Sequence, residues 1–358
     1  MLGCLAAVFA AASYCAHCWT AYATARARKG IPQSAKGESV SLVIPLCGLE
    51  PYSQECIKAA LLVFNVSEVI FCVERFSDPI VPLVRKIIAS APEKNARLLI
   101  GRDVISANPM LNNLAKGWRA SSGEWVALVN SNVLMPRDYI DGMLQEWTYD
   151  TGIVCAPPVG IRPRGFAAQI ECAFLNTYQA RWQYAANAIG LGFAQGKGVL
   201  WRKSFLDDNG GVEALGAEMA EDAATTKLIR SVGLRVRLAS EPSYQPLGKR
   251  SFRDVWNRQV RWARLRRVTF PFEYTAEIAT SCLVVAGAAG VAFGWPTALC
   301  MAVAWYCVED MLARARGWPV TPLAALVARD VLLPAVWLAG WLGSGFEWRG
   351  NRMNARKF

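Results

Sequence analysis

The chain has 358 residues, 53% of them apolar, and carries a formal net charge of +11 from 39 lysines and arginines against 28 acids. That length and apolar content exclude a single small domain and an ordinary soluble globule. The cysteines number 11 and are scattered, which excludes a disulfide framework and suits reduced thiols.

Residues 2–24 contain no Asp, Glu, Lys or Arg. A helix of that length, rising about 1.5 Å per residue, crosses the roughly 30 Å hydrocarbon layer of a bilayer. Arg26, Arg28 and Lys29 follow the run instead of preceding it, the reverse of a secretory signal. The segment is therefore expected to be an uncleaved anchor, with its C-terminal side and the polar middle of the chain facing the cytoplasm. Cys15-Ala-His-Cys18 spells C-x-x-C around the only histidine. With no second pair of ligands, it reads as side chains on a lipid-facing helix, not as a metal or redox site.

After a linker at residues 31–37, apolar β-rich runs at 40–46, 68–73, 97–100, 125–129 and 152–155 alternate with helical stretches at about 51–64, 79–90, 110–120 and 137–147. This alternation predicts an α/β fold, a mostly parallel sheet wound with helices, whose ligands bind at the carboxyl ends of the strands. Glu74 and Asn130 fall at such ends. Residues 165–187 read as a long helix with an aromatic face, 190–198 as a glycine-rich stretch, and 218–232 as a further helix. Between Lys249 and Arg267 eight basic residues face the single acid Asp254 just before an apolar stretch, a pattern for a phospholipid surface or a bound pyrophosphate rather than nucleic acid. From 276 onward the chain is apolar. The 278–295 run is long enough to span, while 321–346, flanked on both sides by basic residues, reads as a re-entrant or hairpin segment, with a plain further span as the competing count. Arg329 and Asp330, adjacent and so on different helix faces, are expected to pair with Glu309-Asp310 or interfacial groups.

The expected organisation is an anchor (1–24), an α/β domain (38–247), basic membrane-interface helices (248–275), C-terminal membrane segments (276–346) and a basic tail (347–358). Two motifs carry chemistry. Ala220-Glu221-Asp222 sets a carboxylate at a helix start after glycines, where a partly buried acid can serve as general base toward a hydroxyl. Arg258-Gln-Val-Arg261-Trp262 offers guanidinium forks for phosphate oxygens and an indole face for a sugar or lipid. Taken singly, the first is equally a helix cap and the second an interfacial belt.

In this order, and together with Asn108-Pro-Met-Leu-Asn-Asn-Leu114, Asn130-Ser-Asn-Val-Leu-Met-Pro136, Gly165-Phe-Ala-Ala168 with Glu171, and Trp348-Arg349-Gly350, they resemble the inverting, membrane-bound glycosyltransferases of the GT-A fold, specifically the ceramide glucosyltransferases. The resemblance runs over nearly the whole chain. It implies a nucleotide-sugar donor such as UDP-glucose, bound by Glu74, Asp78, Asn130, Asn132, Arg258, Arg261 and Trp262, and a ceramide-like lipid acceptor bound near Glu171 and Trp262. It implies Asp222 as the base, and a multi-pass protein of a bacterial inner membrane with a cytoplasmic catalytic domain. Where the family carries an aspartate, often used with a divalent metal, this chain has Asn130; where it carries a lysine, this chain has Met110. An amide accepts hydrogen bonds but lends no negative charge, so binding of Mn or Mg should be weak or absent, and no metal ligands are assigned. A lipid-binding or partner-binding relative without turnover stays open beside the enzyme. A processive polysaccharide synthase shares the arginine-tryptophan signature but needs more spans.

Overall fold

The computed structural model describes residues 1–27, 38–195, 197–348 and 351–356. The linker at 31–37, Arg28, Lys29, Arg349, Gly350 and Lys357 lie outside the described residues. The chain divides into two compact units, an α/β unit spanning 28–158 and 189–246, and a helical unit made of 1–27, 159–188 and 247–356.

In the α/β unit, β1 (Val40–Leu46), β2 (Glu68–Val73), β3 (Ala96–Ile100), β4 (Trp125–Val129) and β5 (Thr151–Cys155) appear where the apolar runs predict them. After β6 (Pro158–Arg164), on which the chain leaves this unit, come β7 (Gly198–Arg202), β8 (Arg235–Leu238) and β9 (Ser243–Lys249). The sheet runs β3-β2-β1-β4-β7-β5-β8, with parallel pairing except at β7, which is antiparallel to both β4 and β5. Every residue of β1, β2, β4 and β5 is buried, which is why these strands read as continuous apolar runs and not as alternating ones. Helices Ser53–Ala60, Val81–Ala89, Pro109–Ala120 and Tyr139–Leu144 fill the crossovers. One core, built on Leu42, Ile44, Phe71, Val84, Ala127 and Ile140, runs beneath the strands.

The helical unit takes in 159–188, which the sequence pattern assigns to the α/β domain. Residues 166–188 form one continuous helical rod whose middle, Phe174–Ala180, is wound as a π-helix. Its Ala167, Ile170, Phe174 and Tyr178 pack with Val255, Ala325 and Leu333, so its aromatic face belongs to the C-terminal helices. The N-terminal helix Leu2–Arg26 sets Ala10 against Cys282, Val285, Ala289 and Trp305. His17, read as facing lipid, is instead 1% exposed. It stacks on Trp305 at 3.6 Å, and its Nε2 lies 3.1 Å from the Trp305 carbonyl.

Two described helices, Leu2–Arg26 and Leu323–Trp341, are long and apolar enough to cross a membrane. A third span results if Pro271–Thr280 and Cys282–Phe293, bent by 63°, count together. The break expected in 321–346 therefore falls earlier: Leu323–Trp341 continues through Pro334 as one helix, and the chain bends at Ser281, whose backbone is extended. Arg329 does meet Glu309, through Nη1 at 2.8 Å and Nη2 at 3.0 Å. Asp310 does not join them, since it accepts from Arg314 at 2.7 Å one turn on. Asp330 bends back to accept from Arg329 Nη2 at 2.7 Å, and Thr177 accepts from Nη1 at 3.1 Å, completing a sealed ionic cluster.

Candidate active site

At the carboxyl end of β4 the sheet stops at Val129 and the chain turns through Asn130-Ser131-Asn132, with Val133 N–H returning to the Asn130 carbonyl at 3.2 Å. The antiparallel register sets Val129 opposite Gly198, and Asn130 N–H donates to the Lys197 carbonyl at 3.0 Å. Above this turn the Lys197 ammonium donates to Asn132 Oδ1 at 3.2 Å, and Asn132 Nδ2 donates to Glu50 Oε2 at 3.3 Å. Gly198 is required here because a Cβ would lie 1.9 Å from the Tyr139 hydroxyl, which is bonded to Ser243 at 2.6 Å.

Asn108 ties two loops to this end of the sheet. It caps the helix Pro109–Ala120 by accepting from Met110 N–H at 2.9 Å. Its Nδ2 donates to the Met219 carbonyl at 3.3 Å and to Glu221 Oε2 at 2.7 Å. Asp222 follows in the first turn of the helix Glu221–Ser231, with its Oδ1 accepting from Ala223 N–H at 2.8 Å. Burial, aided by the neighbouring Asp222 charge, pushes the Glu221 carboxyl up to about 8. Glu221, Asp222, Asn130, Thr225 and Trp201 line one cleft of about 360 Å³, counting its open mouth. Residues 130 and 222, far apart in sequence, thus face the same space.

The other expected donor-site acids in this unit stand elsewhere on the strand ends. Glu74, just past β2, lies 3.4 Å from Arg102 and 3.6 Å from Arg75. Both oxygens of Asp78 accept from Gly48 N–H, at 3.1 and 3.0 Å, and one also accepts from Ile80 N–H at 2.9 Å, so this carboxylate shapes the loop after β1. Lys116 donates to the carbonyls of Val73, at 2.9 Å, and Gly101, and burial holds its proton affinity below that of an ordinary lysine.

The turn after β4 itself offers amides at 130 and 132, the Lys197 ammonium points at the Asn132 oxygen, and the carboxylates that share the cleft with Asn130 are Glu221 and Asp222; among the described residues no three His, Cys, Asp or Glu side chains cluster as ligands.

In the helical unit, Phe252–Thr269 opens with a capping box between Ser251 and Asp254 and carries Arg258, Arg261 and Trp262. Glu171, 1% exposed, accepts from Arg258 Nη1 at 2.6 Å and from Gln259 Nε2 at 3.4 Å. The Arg258 guanidinium lies 5.5 Å from the centre of the Trp262 ring, and that of Arg261 lies 5.4 Å from the centre of the Trp348 ring. Glu171 therefore holds Arg258, a link that side-chain spacing along the sequence does not reveal. Lys197 and the elevated Glu221 carboxyl were likewise missed in the sequence; the only signal was the position of Lys197 at the end of the glycine-rich stretch.

A model of glycosyl transferase family 21 matches residues 2–357. Over 247 residues the chain is 26% identical to ceramide glucosyltransferase 1 of Caenorhabditis elegans, which covers 68% of this chain and 53% of that protein. It is 21% identical over 346 residues to ceramide glucosyltransferase 3 of the same organism, covering 92% and 75%. With the ceramide glucosyltransferase of Komagataella phaffii it shares 25% identity over 317 residues, covering 72% and 62%. The chain thus spans just over half the length of the first of these relatives. Among solved structures it superposes on the mannosyltransferase PcManGT from Pyrobaculum calidifontis, in complex with GDP-Man and Mn2+, with a TM-score of 0.56 at 18% identity, covering 96% of this chain and 98% of that one. This likeness identifies the fold as GT-A-like, a mixed, mostly parallel sheet accompanied by N- and C-terminal apolar helices.

Proposed function

This chain belongs to glycosyl transferase family 21, and from that premise we propose that it moves a hexose, glucose from UDP-glucose, onto the hydroxyl of a ceramide-like membrane lipid with inversion. The observation that carries the reading is the cleft shared by Asp222 and the carboxyl end of β4, where ligands of wound α/β sheets bind. In this reaction the acceptor hydroxyl gives its proton to the Asp222 carboxylate. The acceptor oxygen bonds to the anomeric carbon from the face opposite the leaving group. The bond from that carbon to the diphosphate oxygen breaks, and its electron pair departs with the diphosphate. In-line displacement of this kind inverts the anomeric centre. The amides of Asn130 and Asn132 orient the donor. The resemblance to ceramide glucosyltransferases assigns Arg258, Arg261 and Trp262 to the diphosphate and, with Glu171, to the acceptor, and assigns the apolar helices to a membrane with a cytoplasmic catalytic domain.

Mass spectrometry of lipids from cells expressing the protein tests the reading. A new hexosyl lipid is expected with the wild type. Asp222→Asn should lower transfer by a factor of about 10³ or more while donor binding persists, because it removes a proton acceptor and not a phosphate contact. Equal glycolipid from both proteins discards Asp222 as the base. A second reading, a lipid-binding or partner-binding relative without turnover, is favoured by Asn130 and Met110, and it predicts no hexosyl lipid from either protein.

A further inference from the structure

Leu323–Trp341 has the length and hydropathy of a membrane span, but the elements beside it do not suit hydrocarbon. The helix Phe252–Thr269 runs along it in the same direction. Val255 packs with Ala325 and Leu333, Val260 and Ala263 pack with Val336, and Arg267 donates to the carbonyls of Trp341 and Gly343, each at 3.2 Å. This companion carries arginines at 253, 258, 261, 264, 266 and 267, from its first turn to its last. Arg261, at its middle, lies 5.4 Å from the centre of the Trp348 ring, which belongs to the antiparallel ribbon of Gly345–Trp348 with Asn351–Asn354. On that ribbon Glu347, Asn351 and Arg352 are exposed. A bilayer core deep enough to hold all of Leu323–Trp341 upright would have to hold these arginines and the open edges of the ribbon as well. Open sheet edges do not face hydrocarbon, and arginines there are costly.

We propose that Leu323–Trp341 does not cross the membrane but lies lengthwise in the boundary of one leaflet, on the side of Arg26, with its open face among the acyl chains. That face is continuous: Leu323, Val327, Val331, Leu338 and Leu342 are exposed along one side, opposite the Ala325, Leu333 and Val336 that meet the other helices. An apolar stripe backed by a basic helix is the arrangement of an element that lies in the plane of the interface. The side follows from the preceding helix. Arg316 Nη1 donates to the Ala27 carbonyl at 2.7 Å, so Trp295–Arg316 finishes at the same end as Leu2–Arg26, and Leu323 opens shortly afterwards. Whether the chain beyond Trp341 shares that side is then decided by Leu323–Trp341 alone. None of this depends on the reaction proposed above.

Sidedness of the full-length protein in sealed membrane vesicles tests the proposal. A cleavage site for a sequence-specific protease is placed within residues 31–37 in one version and after residue 358 in another, and detergent lysis confirms that each can be cut. Protease added outside should cut both versions in vesicles of one orientation and neither in vesicles of the other. Cutting of the two sites from opposite sides overturns the proposal. Depth is read independently from Leu323→Trp, Val331→Trp and Leu338→Trp, in vesicles of phosphatidylcholine brominated either near the headgroup or near the acyl tail. The ratio of tail to headgroup quenching of the added fluorescence should agree at the three positions within about 2-fold. A ratio at Val331→Trp more than about 2-fold above the other two marks a helix through the bilayer centre and overturns the proposal. Quenching by neither lipid at any position also overturns it, since the stripe then lies outside lipid.

Discussion

Glu221→Gln should stabilise the protein at neutral pH relative to wild type, by an amount that grows between about pH 5 and 7.5. In the wild type, burial and the adjacent Asp222 keep the folded Glu221 carboxyl protonated up to about 8, against an ordinary 4.5 in the unfolded chain. As pH rises through this window the unfolded state releases a proton that the folded state retains, so this contribution is complete below 4.5 and is lost as pH approaches about 8. At ~1.4 kcal/mol per pH unit, the loss between about pH 5 and 7.5 amounts to about 3 kcal/mol. Glutamine imitates the neutral acid and can still accept from Asn108 Nδ2, which lies 2.7 Å from Glu221 Oε2, so it avoids the loss without breaking the link. Thermal unfolding of both proteins in the same detergent across these pH values is the assay. The melting curves should converge near pH 5 and separate steadily above it. Parallel pH profiles would refute the reasoning, because they would mean that Glu221 ionises in the folded protein as readily as in the unfolded one.

Two further outcomes test the scaffold. Gly198→Ala places a Cβ 1.9 Å from the Tyr139 hydroxyl and should cost about 3 kcal/mol, seen as a lowered melting temperature. Arg329→Met strands the Glu309 and Asp330 carboxylates without their cation and should cost about 3–5 kcal/mol, read from loss of folded protein in detergent; adding Glu309→Gln to the same chain should recover part of it.

Much of the α/β unit was legible because its central strands are buried on both faces, so VSLVIPL and EVIFCV announce themselves as uninterrupted apolar runs. β7 was not, since GVLWR emerges from a glycine-rich stretch and reads as loop until its pairing with β4 is known. β8, RVRL, carries two arginines at a sheet edge and lacks the apolar signal altogether. The helix over 166–188 was legible as a helix but not as a partner of the C-terminal helices, because an aromatic face says that something covers it and not what. Within the site, Asp222 and Asn130 were found through local motifs. Lys197 was not, because only strand register, a long-range property, brings it opposite residue 130.

The sealed cluster of Thr177, Glu309, Arg329 and Asp330 has a consequence for biogenesis. Where these helices lie in lipid, the last long one released by itself would carry Arg329 into hydrocarbon with only its neighbour Asp330 and without the two bonds it makes to Glu309. The segment bearing Glu309 has to wait beside the insertion machinery until Arg329 emerges, so both helices partition as a cohort. A nascent chain cut between them would expose an unmatched carboxylate to the quality-control proteases of the membrane.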